Sequence, residues 1–428
     1  EGDLALIAEE SSNPRYWEWT AADKLFLKLL EEAKSRGIRG IIAGVWNHTG
    51  RDFFAFTDIR TKFQKSPYAH WYKIIKFDDP LTARNEFNYH AWNGFKSLPE
   101  FADDPSGQNL APGPKRYVFN ATKRWMDPNG DNDPSDGLDG WRLDVAEEMP
   151  IGFWKEWHAY IREINSEVFT SAEIWGSAGQ YLADTDFTSA MNYRGFAIPV
   201  KGWLIDGKIT ASEFSELLDQ ERNSYDKDTA YIMQNLVDSH DTQRAASAIA
   251  NRASFSDYKN DNWLDYDDGE RVNARSAGYN NGPPDVKGRR IWKMLALFQA
   301  TYVGAPMIYY GTELGMWGAD DPENRMPTWW HRMDEDIFKT YQNAFLLRHT
   351  HPVLRRGSFK VLEIRDKSQV FAFERRLGEE RLVIILNRGH GEATLNINHL
   401  KGLKVIHSTD PIASTRRLPP LSAAVFGK

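Results

Sequence analysis

GLDGWRLDVAEEMP, residues 137–150, opens on turn residues and then runs through an apolar-alternating stretch from Leu138 to Val145. Side chains at i and i+2 of a strand share a face. Arg142 and Asp144 therefore point the same way, at the C-terminal end of a short buried strand. A charged pair there is costly unless it is satisfied. An isolated Arg-x-Asp is most simply a structural ion pair; what changes that reading is the company at the ends of the other strands.

Upstream, Thr20 is placed to cap a helix over 21–36 with a leucine stripe, and Gly37 stops it. A strand over 38–45 follows and ends in Trp46-Asn47-His48-Thr49-Gly50. The aromatic, Pro- and Asn-rich excursion 51–115 is too long for a connector and reads as a functional insertion over one face. A helix over 114–125 and the loop MDPNGDNDPSDG lead into the 137–145 strand. Downstream come a helix at 153–164, a strand ending AEIWG at 172–176 and a weaker strand at 189–193. A helix at 211–220, a strand over 230–237 ending DSHD at 238–241, a helix over 287–300 and a strand over 306–310 complete the series. Helices alternating with strands, with functional groups at strand C-termini, predict an α/β fold, a parallel (β/α) TIM barrel reaching to about residue 350. From 351 to 428 the pattern becomes short alternating strands, a C-terminal antiparallel β-sandwich domain.

A net charge of −7 with no basic block argues against nucleic acid or an anionic membrane surface as partner. The absence of Cys excludes disulfides and thiolate metal sites. No stretch approaches the roughly 18 apolar residues of a membrane span. Abundant aromatics suit a bulky core and also platforms for sugar faces, with Trp175, Trp203, Trp317, Trp329 and Trp330 as candidates.

Asp144, Glu173 and Asp241 all fall at or just beyond strand ends, and a parallel barrel gathers such ends around one mouth. His48, Arg142 and His240 join them. Three acids, two His and an Arg without Cys suit a metal site or glycoside chemistry. Retaining glycosidases pair a nucleophilic carboxylate with an acid/base carboxyl about 5–5.5 Å away.

These motifs resemble the α-amylase family, glycoside hydrolase family thirteen, and within it the cyclomaltodextrinase, neopullulanase and maltogenic amylase group. GVWNH at 44–48, GWRLDVA at 140–146, AEIW at 172–175 and NLVDSHD at 235–241 resemble its four conserved regions in order. LPEF at 98–101, GAPMIYYGTE at 304–313 and ADDPENR at 319–325 resemble further family segments. The resemblance implies retaining hydrolysis of α-1,4-glucosidic bonds in cyclodextrins, maltooligosaccharides or pullulan, with transglycosylation. It implies Asp144 as nucleophile, Glu173 as acid/base and Asp241 as the group that grips the distorted sugar. Arg142 would keep Asp144 ionised, and His48 and His240 would bond the attacked sugar. Trp175, two residues beyond Glu173, is the best placed platform. No cofactor is required for the chemistry. The resemblance allows a structural calcium at Asn47, and the alternating oxygens of Asp127, Asn129 and Asp131 resemble a hard-cation loop, against the simpler reading of an Asx-rich turn. It allows a homodimer and either a cytoplasmic or a periplasmic location; the residues decide neither.

Three departures bear on this reading. Ala43 stands where the family's first region has Asp, which predicts a less firmly held Arg142. Glu147 replaces the Asn common in the second region. Counting GVWNH as strand three, the chain holds strands three to eight of a (β/α)8 barrel, so it is expected to be a fragment of a longer protein, with exposed strand edges. The rival functions are a non-catalytic glucan- or partner-binding protein of the same fold, and a sister enzyme such as an α-1,6-glucosidase or a sucrose or trehalose isomerase.

Overall fold

The structure, a computed structural model, describes residues 2–8, 10–79, 81–252, 273–412 and 416–428. It divides into two compact units, residues 1–174 with 180–190, and residues 175–179 with 191–428.

In the first unit a short helix, Gly2–Ala8, precedes α1 (Ala21–Ser35), which is fixed by a full capping box: the Thr20 hydroxyl accepts from the Asp23 N–H and the Asp23 carboxylate accepts from the Thr20 N–H. It leads into β1 (Ile41–Gly44), four residues long because only these pair. The 51–115 excursion folds as α2 (Phe54–Lys62) and a small antiparallel pair, β2 (Ile74–Lys76) and β3 (Asn88–Tyr89). Next come α3 (Pro112–Met126), β4 (Gly140–Leu143), α4 (Ile151–Ile164), β5 (Phe169–Ala172) and β6 (Ser189–Ala190). The parallel sheet runs β1-β4-β5-β6 in the helix-linked manner the sequence predicts, with the β2–β3 pair of the excursion standing outside it. Trp141, Trp154, Trp157 and Ile161 form its dry core, where α4 carries the periodic apolar face. β1 is an edge of this sheet, and Ile38 and Ile41 are exposed there.

His158 on α4 has a consequence for acid stability. Its Nδ1 lies 2.9 Å from the Trp154 carbonyl, which can only accept, so Nδ1 carries the proton and Nε2 accepts from the Thr170 hydroxyl at 3.2 Å. Burial holds the ring neutral, its pKa lowered from 6.5 to about 4. The unfolded chain therefore binds a proton between those values that the fold refuses. The stability this histidine permits is complete above about pH 6.5 and falls as pH drops to about 4, by up to about 3 kcal/mol. His158→Gln is expected to flatten that part of the stability–pH curve in denaturant titrations; an unchanged slope would exclude the histidine as its source.

The second unit contains α5 (Ala211–Arg222), α6 (Lys227–Ile232), β7 (Gln234–Asn235), α7 (Ala245–Ala250), α8 (Val286–Thr301), β8 (Ala305–Pro306) and α9 (Glu335–Thr350). The expected strand over 230–237 is corrected at its start: Asp226 caps Asp228 and Thr229, so residues 227–232 are a helix. The expected 306–310 strand shortens to Ala305–Pro306, paired parallel to β7. Gly304 lies at φ +114°, and a Cβ there would meet the Asn235 amide at 2.4 Å, so this crossing requires glycine.

The C-terminal sheet runs β13-β15-β11-β10-β9, from β9 (Ser358–Arg365), β10 (Val370–Leu377), β11 (Glu380–Asn387), β13 (Lys404–Ser408) and β15 (Ser422–Gly427). A two-stranded pair, β12 (Ala393–Thr394) with β14 (Arg417–Leu418), accompanies it. The period-two pattern is explicit on β10: Phe371 and Phe373 join the cluster of Phe214 and Phe298, while Val370 and Ala372 face Val383, Leu418 and Phe426. No helix among the described residues is long and apolar enough to cross a membrane.

Candidate active site

Asp144 and Glu173 are each the first residue beyond a strand. The Asp144 N–H donates to the Gly44 carbonyl at 3.0 Å and the Glu173 N–H to the Leu143 carbonyl at 3.0 Å, so each continues its parallel ladder by one step. The carboxylates thus leave adjacent strands, β4 and β5, at the same level. One guanidinium serves both: Arg142 Nη1 lies 2.5 Å from Asp144 Oδ1 and Nη2 lies 2.7 Å from Glu173 Oε1. Glu173 Oε2 also accepts from the Val145 N–H at 3.0 Å. Val145 is a β-branched residue in the left-handed region, φ 40° and ψ 50°, a conformation that costs about 1–3 kcal/mol. The strain sits between the two carboxylates, where the surrounding bonds over-determine the backbone.

Ala43 pairs in register with Arg142. The Arg142 guanidinium meets the two carboxylates, and Ala43 offers it no side-chain acceptor.

His48 follows β1, and the Asn47 carbonyl accepts from the Phe101 N–H at 3.0 Å while His48 and Glu100 form a β-bridge. The LPEF segment is therefore stitched to the end of β1. His48 is buried against Trp92, centroids 5.6 Å apart. Burial lowers its pKa below 6.5, with Asp144 and Glu100 pulling the other way, so it is neutral at neutral pH.

In the second unit, β7 runs into the turn that carries His240 and Asp241. Asp238, fully buried, anchors it by accepting from the Ala245 N–H at 2.8 Å and the Thr312 hydroxyl at 2.7 Å. The Asp241 carboxylate is held on both oxygens, by His240 Nε2 at 3.1 Å and Arg325 Nη2 at 3.2 Å. Its N–H donates to Ser239 Oγ at 3.1 Å, and that hydroxyl also meets the Tyr193 hydroxyl at 3.0 Å. Trp175 stacks on Tyr193, centroids 3.8 Å and planes 13° apart, so one of its faces is already covered.

The 127–133 loop is built from Asx turns. Asp127 accepts the Gly130 N–H at 3.0 Å and the Asn132 N–H at 3.3 Å, one on each oxygen. Asp131 accepts from the Asp133 N–H and from the Asn129 amide. Asp127 and Asp131 thus shape the loop with their own carboxylates. Asn47 is buried, with its amide nitrogen 3.4 Å from His48 Nδ1. Among the described residues no cluster of three or more His, Cys, Asp or Glu is arranged to hold a metal. Asp127→Ala is expected to cost about 1–3 kcal/mol from two unsatisfied N–H groups; a melting temperature that EDTA lowers in the wild type and not in the variant would assign a cation to the loop, and an unchanged stability in the variant would contradict the turn-forming role.

A family model, the alpha amylase catalytic domain, matches residues 18–264. The chain belongs to the α-amylase family. It is 31% identical over 374 residues to neopullulanase 2 of Thermoactinomyces vulgaris, covering 86% of this chain and 55% of that protein. To a cyclomaltodextrinase of a Bacillus species it is 30% identical over 373 residues, covering 86% and 57%. The chain thus spans little more than half the length of these curated relatives. Among solved structures it is similar to the Nostoc punctiforme debranching enzyme soaked with acarbose, with TM-score 0.76, 26% identity, and coverage of 100% of this chain and 88% of that one. The fold class is the α-amylase (β/α) barrel with a C-terminal antiparallel β domain.

In α-amylase-family terms, the first unit brings together Asp144, Glu173, Arg142 and His48, and the second brings together Asp241 and His240. Asn324, Arg325 and Tyr193 also belong to the site's surroundings; nothing in the spacing of ADDPENR announces contact with residues 80 positions upstream. Trp203 is corrected as a sugar platform: it is fully buried and stacks on Phe214. Trp317 packs edge-on against Trp329, and Trp330 is exposed.

Proposed function

We propose that this protein is a retaining glycoside hydrolase acting on α-glucosidic bonds of cyclodextrins, maltooligosaccharides or pullulan. The observation that carries the proposal is the pair of carboxylates on adjacent strand ends sharing one guanidinium. Arg142 holds the carboxylate that attacks by a hydrogen bond at 2.5 Å. Asp144 attacks the anomeric carbon as Glu173 protonates the departing oxygen; a glycosyl–Asp144 ester forms and the glycosidic bond breaks. Glu173 then takes a proton from water, which displaces Asp144 and releases the sugar with its original anomeric configuration. A sugar hydroxyl in place of that water gives transglycosylation. Asp241 stabilises the oxocarbenium-like transition state, and neutral His48 donates a hydrogen bond to the attacked sugar.

The similarity to a debranching enzyme supports a second reading in which α-1,6 bonds are preferred. Incubation with β-cyclodextrin, maltotriose and pullulan, followed by proton NMR of the first-formed anomer, tests both. An α-anomer released first is expected; a β-anomer first, or no hydrolysis, would overturn the proposal, and faster cleavage of the α-1,6 bond would select the second reading.

A further inference from the structure

Asn324 makes one contact set unlike any other around the candidate site. Its side chain is fully buried, and its Nδ2 reaches three carbonyls of a single turn: His240 at 2.8 Å, Thr242 at 2.8 Å and Ser239 at 3.4 Å. Among the described residues its Oδ1 has no partner, so the side chain acts here as a donor. The turn it holds is the one that carries Asp241. The next residue completes the arrangement: Arg325 Nε donates to the His240 carbonyl at 3.1 Å and its Nη2 holds Asp241 Oδ1 at 3.2 Å. A buried amide binding three carbonyls fixes their directions, and with them the exit vector of the side chain between them.

We infer that Asn324 is a positioning residue for Asp241, setting the carboxylate through the Ser239–Thr242 turn and through the placement of Arg325. This rests on the hydrolase reading. A misplacement of about 1 Å at a reacting group costs about 100-fold in rate, so the turn needs a clamp stiffer than solvent-exposed loops provide.

The test is a double-mutant cycle with β-cyclodextrin as substrate. Asn324→Ala is expected to lower kcat/KM by about 10- to 100-fold in the wild-type background, and by no more than about twofold in Asp241→Asn, where the group it positions has been neutralised. Equal losses in both backgrounds, or none in the first, would overturn the inference, since a general loosening of the fold multiplies. Thermal melts accompany each variant; if Asn324→Ala does not fold, Asn324→Ser, which keeps one donor, runs the same cycle. Acarbose binding by calorimetry repeats the cycle without turnover. A wild type that binds but does not hydrolyse overturns the hydrolase reading alone, while one that does neither overturns both.

Discussion

Asp144→Asn is expected to abolish turnover, lowering kcat by about 10⁴-fold or more. The amide is near-isosteric and still faces Arg142, so its melt should stay close to that of the wild type, and the loss reports chemistry. Glu173→Gln should reduce glucan hydrolysis by about 10²- to 10⁴-fold, with a different signature. An aryl α-glucoside with a good leaving group needs no proton and should retain much of its glycosylation rate. Added azide, which needs no general base, should then rescue turnover in Glu173→Gln and give the α-glucosyl azide. Azide rescue in Asp144→Asn with a β-azide product would mark an attack from the opposite face and is compatible with the same assignment. Azide rescue to an α-product in Asp144→Asn would exchange the two roles.

The second large effect lies at Arg142. One guanidinium hydrogen-bonds Asp144 at 2.5 Å and ion-pairs with Glu173 at 2.7 Å through its second terminal nitrogen, a two-point geometry that a lysine point charge cannot reproduce. Arg142→Lys is therefore expected to lower kcat/KM by about 100-fold while melting near the wild type. Arg142→Leu leaves two facing carboxylates without a cation, with a stability cost of about 3–5 kcal/mol and activity below detection. A lysine variant with wild-type kcat/KM would show that Arg142 is a structural counter-ion and that the fork plays no part in aligning the acids.

The residues that were legible in the sequence share a physical signature. Arg142 and Asp144 stand two apart on a strand, so their common face followed from strand geometry alone. Asp144 and Glu173 each sit one residue beyond an apolar run, which places them on the C-terminal side of parallel strands. The antiparallel sheet was readable because Val370 to Phe373 alternate between two buried faces. Other features depend on contacts that no local pattern encodes. Residues 227–232 are as compatible with a strand as with a helix until the Asp226 cap decides. The Asp127 loop has the composition of a cation site, and only the structure shows that its carboxylates also close the loop's own turns. Asn324 reaches a turn more than 80 residues earlier, and a single Asn in a Pro-containing loop carries no periodicity to betray it.

The central claim is that Asp144 becomes covalently glycosylated. A fluorinated α-glucosyl fluoride, whose second fluorine slows release of the sugar more than its attachment, should trap that ester in the wild-type protein. Proteolysis and mass spectrometry should then place one glycosyl group on the peptide carrying Asp144, with none in Asp144→Asn. A glycosyl group on Glu173 or Asp241, or turnover without any adduct, would contradict the account.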